Sequence, residues 1–257
     1  MQALVSVILT HLDRRAWWTE RLAAIEMRLS ASRQSRDYRD QGVCLGELGY
    51  TYEQRGEYEQ ALYWYEQSLA IWHELVERKH EGILLNNIAG VYSELGMHEQ
   101  ALQYYKRDLT ICRENSDREG EGYSLNNIGL SYYNQGDNKR ALEYYYQSLP
   151  IQQETGDKIG QGTTLDNIAI IYNAQGKPSK AIKYHEQALT IVIELGDRKL
   201  EAESCWNIGL TYKDMGDLAK ADRYITLAVQ IAEQIDHHAL KQFLDGLAQV
   251  RAAQQGA

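Results

Sequence analysis

The sequence predicts an all-α chain, a solenoid of stacked helix hairpins, and three observations carry that prediction. Only two prolines, Pro150 and Pro178, occur in 257 residues, which leaves room for long helices and argues against a loop-rich β-sandwich. Glycine recurs every forty residues at Gly56, Gly96, Gly136, Gly176 and Gly216, with tyrosine four places before each (Tyr52, Tyr92, Tyr132, Tyr172, Tyr212). Alanine follows each glycine by five places (Ala61, Ala101, Ala141, Ala181, Ala221) and isoleucine by fifteen (Ile71, Ile111, Ile151, Ile191, Ile231). Within each copy the apolar residues fall at helical spacing, as Leu125, Ile128, Gly129 and Tyr132 do in the third. Four matching columns over five copies describe one supersecondary unit, repeated.

Each element follows from local chemistry. In the third copy the first helix is predicted from about Arg118 to Gln135, with Asp117 as N-cap and Asp157 and Asp197 repeating that cap later. Gly136 permits the reversal, because glycine takes positive φ at no steric cost. Asp137 then caps a second helix that carries Ala141, Tyr144, Tyr145, Leu149 and Ile151 to about Thr155. The small side chain of Ala141 lets the two helices approach closely. Pro150 stands where other copies have Ala70, Thr110 and Thr190, and it predicts a kink near Tyr146 because it removes a backbone donor. One hairpin cannot bury its apolar faces alone, so the copies must stack.

The ends fit the same register. Leu12, Trp18, Leu22, Ile25 and Leu29 occupy the columns of Tyr52, Tyr58, Leu62, Tyr65 and Leu69. They predict a degenerate first helix pair over residues 1–36, followed by five repeats over 37–236. Residues 237–257 predict a lone capping helix with Leu240, Leu244, Leu247 and Val250 on its inner side. The whole chain, 1–257, reads as a single solenoid domain.

Composition narrows function. The formal charge of −9 disfavours nucleic acid and anionic membrane surfaces as partners. No apolar stretch approaches the ~20 residues that span a bilayer, and the run Leu4 to Leu9 lacks the flanks of a signal peptide. The three cysteines, Cys44, Cys112 and Cys205, are far apart and form no CxxC, so a reduced, cytoplasmic setting is expected. Seven scattered histidines show no metal-ligand spacing, and no phosphate-binding or nucleophile motif occurs. No catalytic residue, metal or cofactor is therefore expected. His237 and His238 read as a polar helix start, and Cys205, in the column of Leu165, as a small buried hydrophobe.

The segment LNNIGLSYYNQGDNKRALEYYYQSL (residues 125–149), with its counterparts, resembles the tetratricopeptide repeat over residues 40 to 235. The unit is longer than the usual repeat, in the manner of kinesin light chains, Pins-type adaptors and bacterial regulators. The opening RRAWWTERLAAIEMRLSASRQSRD (residues 14–37) resembles the start of the repeat region in bacterial STAND signalling ATPases. The resemblance implies a right-handed superhelix of about six helix-turn-helix repeats with a C-terminal capping helix. It also implies that a second stripe on each first helix lines a concave, ligand-binding groove.

In the third copy that stripe includes Tyr123, Asn126, Asn127 and Leu130; the second supplies Asn86 and Asn87, the fourth Asn167 and Ile170, the fifth Trp206, Asn207 and Leu210. One asparagine recurs per repeat: Asn87, Asn127, Asn167 and Asn207. Each amide has a donor and an acceptor, so a row of them can hold an extended peptide backbone whatever its sequence. At about 0.5–1.5 kcal/mol net per hydrogen bond, four rungs account for much of the ~8 kcal/mol behind micromolar binding, before association costs. The same amides could instead bond an adjacent helix or face water. Trp206 likewise has two readings, a groove anchor or packing against the C-terminal helix. Glu47, Glu94, Asp166, Glu203 and Asp214 against Lys213 make the stripe acidic, which favours a neutral or basic partner segment over an acidic one. The functional expectation is a non-enzymatic protein-interaction module. Two alternatives stand beside it: the sensor part of a larger STAND-type signalling protein, and a self-assembling scaffold of unassigned oligomeric state.

Overall fold

The computed structural model describes residues 2–255, with side chains from residue 17 onward, and Leu12 lies outside those described side chains. Among the described residues the chain is all α-helix: α1 (Gln2–Ser35), α2 (Tyr38–Gln54), α3 (Tyr58–Glu74), α4 (Arg78–Glu94), α5 (His98–Glu114), α6 (Arg118–Asn134), α7 (Asn138–Thr155), α8 (Lys158–Ala174), α9 (Pro178–Leu195), α10 (Arg198–Asp214), α11 (Leu218–Gln234) and α12 (Leu240–Gln255). They form two compact units, Met1–Asp117 and Arg118–Ala257. The first contains the hairpins α2–α3 and α4–α5; the second contains α6–α7, α8–α9 and α10–α11, with α12 packed on α11.

Two turns make each repeat, and both need a left-handed residue. Within the hairpins this residue is the repeated glycine, with φ between +70° at Gly176 and +80° at Gly136. The reversal is locked by returning amides: Gly136 N–H donates to Tyr133 (2.8 Å) and Asp137 N–H to Tyr132 (2.9 Å). Between repeats a second left-handed column recurs at Arg36, Val76, Ser116, Gly156, Gly196 and Asp236. The sequence hides this column, because only Gly156 and Gly196 carry the residue that its geometry favours. Aspartates then start the helices: Asp37, Asp137, Asp157, Asp197 and Asp217 each accept a backbone N–H of the following first turn.

Close approach inside each hairpin comes from small residues. Ala61, Ala101, Ala141, Ala181 and Ala221 are fully buried. Gly129 faces the Tyr145 ring, where a Cβ would lie 2.7 Å from ring carbons. The repeated tyrosines stack across their own hairpins, Tyr92 on Tyr104 (5.5 Å), Tyr132 on Tyr144 (5.4 Å), Tyr172 on Tyr184 (5.6 Å) and Tyr212 on Tyr224 (5.8 Å). A cation covers several of these stacks, as Arg140 does over Tyr132 at 4.3 Å and Lys220 over Tyr212 at 4.8 Å. Each stack contributes about 0.5–1.5 kcal/mol beyond area burial. α7 runs through Pro150 as one helix.

The ends depart from expectation in two ways. Residues 2–35 form one helix rather than a helix pair. The glycine column holds Ala16 there, so nothing favours positive φ and the helix continues. Its later half acts as a second helix of the repeat: Leu22, Ile25 and Leu29 pack with Leu45, Leu48 and Trp64. In α12 the inner side is Phe243, Gly246, Leu247 and Val250, while Leu244 is exposed. Phe243 joins the core of the second unit with Ile208, Val229 and Ala232.

Two stability predictions follow from these elements. A β-branched residue in the left-handed region is strained, and Val76 is there at φ 57°. Val76→Gly should raise stability by about 1 kcal/mol, and Gly196→Val should lower it comparably, both read from denaturant midpoints at constant slope. Phe243→Ala should cost about 3–5 kcal/mol in the same measurement. An effect under 0.5 kcal/mol would show that α12 contributes little to the second unit.

Candidate functional site

Within each unit the first helices carry two adjacent columns, and the structure uses them differently. Asn86, Asn126, Asp166 and Trp206 form one. Its members bind within the protein. In the first unit, Asn86 Nδ2 donates to Oδ2 of buried Asp108 at 3.1 Å. In the second, the Thr164 hydroxyl donates to Asn126 Oδ1 (2.9 Å) and the Ser204 hydroxyl to Asp166 Oδ2 (3.0 Å), joining α6 to α8 and α8 to α10. Asp166 also meets Nδ1 of buried His185 at 2.7 Å. In the second unit Asn126 and Asp166 thus form a lateral ladder between neighbouring repeats, whereas Asn86 bonds within its own hairpin.

Asn87, Asn127, Asn167 and Asn207 form the other column. All four are half-buried. Among the described residues no side-chain hydrogen bond joins their amides to another group, in contrast to Asn86 and Asn126 one position earlier. Tyr123 is exposed beside them, while Leu130, Ile170 and Leu210 are half-buried. Burial, with Asp157 and Glu119 nearby, raises the Tyr123 phenol above its ordinary pKa.

Trp206 takes the packing role and keeps an edge on a cavity. Its ring stacks on Phe243 at 4.8 Å with an interplanar angle of 23°. With Leu210, Lys213, His238, Gln242 and Gln249 it lines a recess of about 530 Å³ between α10 and α12. A second recess, of about 280 Å³, lies in the first unit between α2 and α4, with Asn87 on its rim. Sequence reasoning missed this one. Its signal was Gly46, the residue without a side chain in the column of Asn86, Asn126, Asp166 and Trp206.

Several charges on this face are already engaged. Glu203 Oε1 meets His237 Nε2 at 3.3 Å, Asp214 Oδ2 accepts from Asn173 at 3.0 Å, and Lys213 donates to Gln249 at 3.0 Å. His237 is buried, and its Nδ1 accepts the Ala239 N–H at 3.1 Å, which starts the turn into α12. Burial pushes the Cys205 thiol up to about 12, far from the thiolate that a nucleophile requires. Among the described residues, no group of three or more histidine, cysteine or acidic side chains is placed to hold a metal. No helix among them is long and apolar enough to cross a membrane.

Known structures share this architecture. BtubC (BKLC) from P. vanneervenii is similar at a TM-score of 0.75 and 21% identity, over 86% of this chain and 93% of that one. A signal transduction ATPase with numerous domains (STAND) from Pyrococcus horikoshii, which has a tetratricopeptide repeat sensor, is similar at 0.71 and 21%, over 87% of this chain. The match spans 36% of that protein. The quorum sensor NprR from B. thuringiensis in its apo form is similar at 0.70 and 19%, over 92% of this chain and 66% of that one. NprR in complex with its cognate peptide NprX is similar at 0.62 and 20%, over 91% and 69%. No curated protein sequence matches the chain. One tetratricopeptide repeat profile matches residues 40–114 and 121–194, and another matches 202–235. With most of its length so matched, the chain belongs to the tetratricopeptide repeat family.

Proposed function

We propose that the first-helix faces of each unit bind extended partner-protein segments, through Asn127, Asn167 and Asn207 in the second unit and Asn87 in the first, and that the chain itself does no chemistry. The observation that carries this reading is the contrast between the two adjacent polar columns. Asn86, Asn126 and Asp166 spend their side chains on the protein, whereas the next position repeats an amide with no partner among the described residues. These half-buried amides still reach solvent and are spent on no side-chain bond within the fold. A peptide backbone supplies the missing donor and acceptor together.

The likeness in fold to NprR, solved with its cognate peptide, supports a ligand of this size. The charges left unengaged on the face, Glu94 and part of Glu47, are acidic and favour a neutral or basic segment. A second reading, a sensor working within a larger signalling protein, is supported by the likeness to the STAND tetratricopeptide sensor. It uses the same face.

The Asn127→Ala, Asn167→Ala double variant should lose the partners that wild type retains in a pull-down, with a melting curve unchanged within about 0.5 kcal/mol. Retained binding with a lowered melting temperature would make these asparagines structural and overturn the reading. Asn126→Ala should behave oppositely. It strands the Thr164 hydroxyl and should cost about 1–2 kcal/mol by denaturant titration. A stability unchanged from wild type would show that the lateral ladder carries no weight.

A further inference from the structure

Gly46 occupies an interior position of α2, where glycine is a poor helix former. Packing does not require it. A Cβ at Gly46 would meet Ser68 Oγ at 3.5 Å and Leu84 Cδ2 at 3.7 Å, ordinary contacts. Gly42, one turn earlier, is different: a Cβ there would lie 2.7 Å from the Trp72 indole. One glycine seats the indole, whose face the His80 ring covers at 4.0 Å, and the other leaves space beside Ser68 and Leu84. The result is the recess of about 280 Å³, walled by Val43, Tyr50, Trp72, Ile83 and Leu84. In later copies the corresponding column is filled by Asn86, Asn126, Asp166 and Trp206.

Size and charge select the occupant. The recess falls just below the roughly 300–1,000 Å³ of small-molecule pockets and suits one large side chain. Glu47 is its one acidic or basic lining residue, histidine aside. Arg28 is shared between Asp40 and Glu47, nearer to Asp40 and 3.4 Å from Glu47, so the trio keeps one net negative charge. Asn87 stands on the rim with a donor and an acceptor for a backbone.

We propose that this recess is an anchor site for a leucine- or phenylalanine-sized side chain of a bound protein segment, with an adjacent lysine or arginine reaching Glu47. The proposal rests on the peptide-binding reading above and gives it a sequence preference. Apolar burial against Tyr50, Val43 and Ile83, with Trp72 as the floor, supplies the affinity. Glu47 selects the neighbouring residue by charge.

A random twelve-residue peptide library displayed on phage and selected on the full chain tests this, with affinities of recovered synthetic peptides measured by fluorescence anisotropy. Wild type should enrich a large apolar residue next to lysine or arginine. Gly46→Asn, which restores the side chain of the second and third copies, should weaken those peptides by about 10- to 100-fold without lowering the melting temperature. Gly46→Ala is the smaller filling. It keeps the test open if asparagine perturbs α2, and should weaken binding severalfold while raising the melting temperature. Glu47→Lys should abolish the preference for basic neighbours. Peptides that bind wild type and both Gly46 variants equally, yet fail on Asn87→Ala, would overturn the anchor and leave the groove reading standing. Enrichment of no peptide by wild type would overturn both.

Discussion

The approach distance between the two helices of each hairpin governs the rest of this structure. Apolar faces on paired helices gain from burial only where no side chain holds the backbones apart. The fully buried alanine column from Ala61 to Ala221 sets that distance. Gly49, Gly129 and Gly209 refine it by receiving the rings of Tyr65 and Tyr145 and the branched chain of Ile225. Once the helices are close, the tyrosines four residues before each turn reach their partners on the second helix and stack. Hairpins built this way still expose one apolar flank, which only another hairpin covers. Repetition is thus a consequence of the unit's incomplete burial.

That logic explains how much of the fold was legible in the sequence. Glycine meets the positive φ of the hairpin turn in all five copies, so the forty-residue period stands out. The turn between repeats has the same backbone demand and was not legible, because Arg36, Val76, Ser116 and Asp236 tolerate it at some cost where Gly156 and Gly196 do not need to. The first segment shows the converse. Without a glycine at position 16 the matching apolar columns of residues 18–29 still pack, but on a single uninterrupted helix. Periodicity locates apolar faces; turn residues decide where the chain reverses. In α12 the register slipped for a related reason. Phe243, the single phenylalanine, is held by the Trp206 ring, an interaction between distant residues that no helical period announces.

The candidate site was legible only as a surface. Helical spacing placed Asn86 with Asn87 and Asn126 with Asn127 on one stripe, and the two members of each pair look equivalent in sequence. They are separated by what lies opposite: Asp108 for Asn86, and Thr164 for Asn126. An asparagine facing a buried carboxylate or hydroxyl is consumed by the fold, and its neighbour, rotated by one residue around the helix, is not. The same tertiary facts divide the acids. Asp166, Glu203 and Asp214 are held by His185, His237 and Asn173, so part of the hydrogen-bonding capacity along the stripe is already spent within the fold.

One column varies between copies without changing the scaffold. The position held by Asn126 and Asp166 serves lateral bonding where neighbours present Thr164 and Ser204, and at Asn86 it bonds Asp108 within the hairpin. At Gly46 the side chain is absent and a recess opens; at Trp206 it is large and packs on α12. Because the Cβ at position 46 would meet only ordinary contacts, the backbone there is indifferent to what the column carries. Columns that set helix approach or turn geometry lack that freedom, since a change at Ala141 or Gly136 would alter the hairpin itself. Variation is therefore cheapest on the face where a ligand would be read, and the repeat can stay constant while its surface does not.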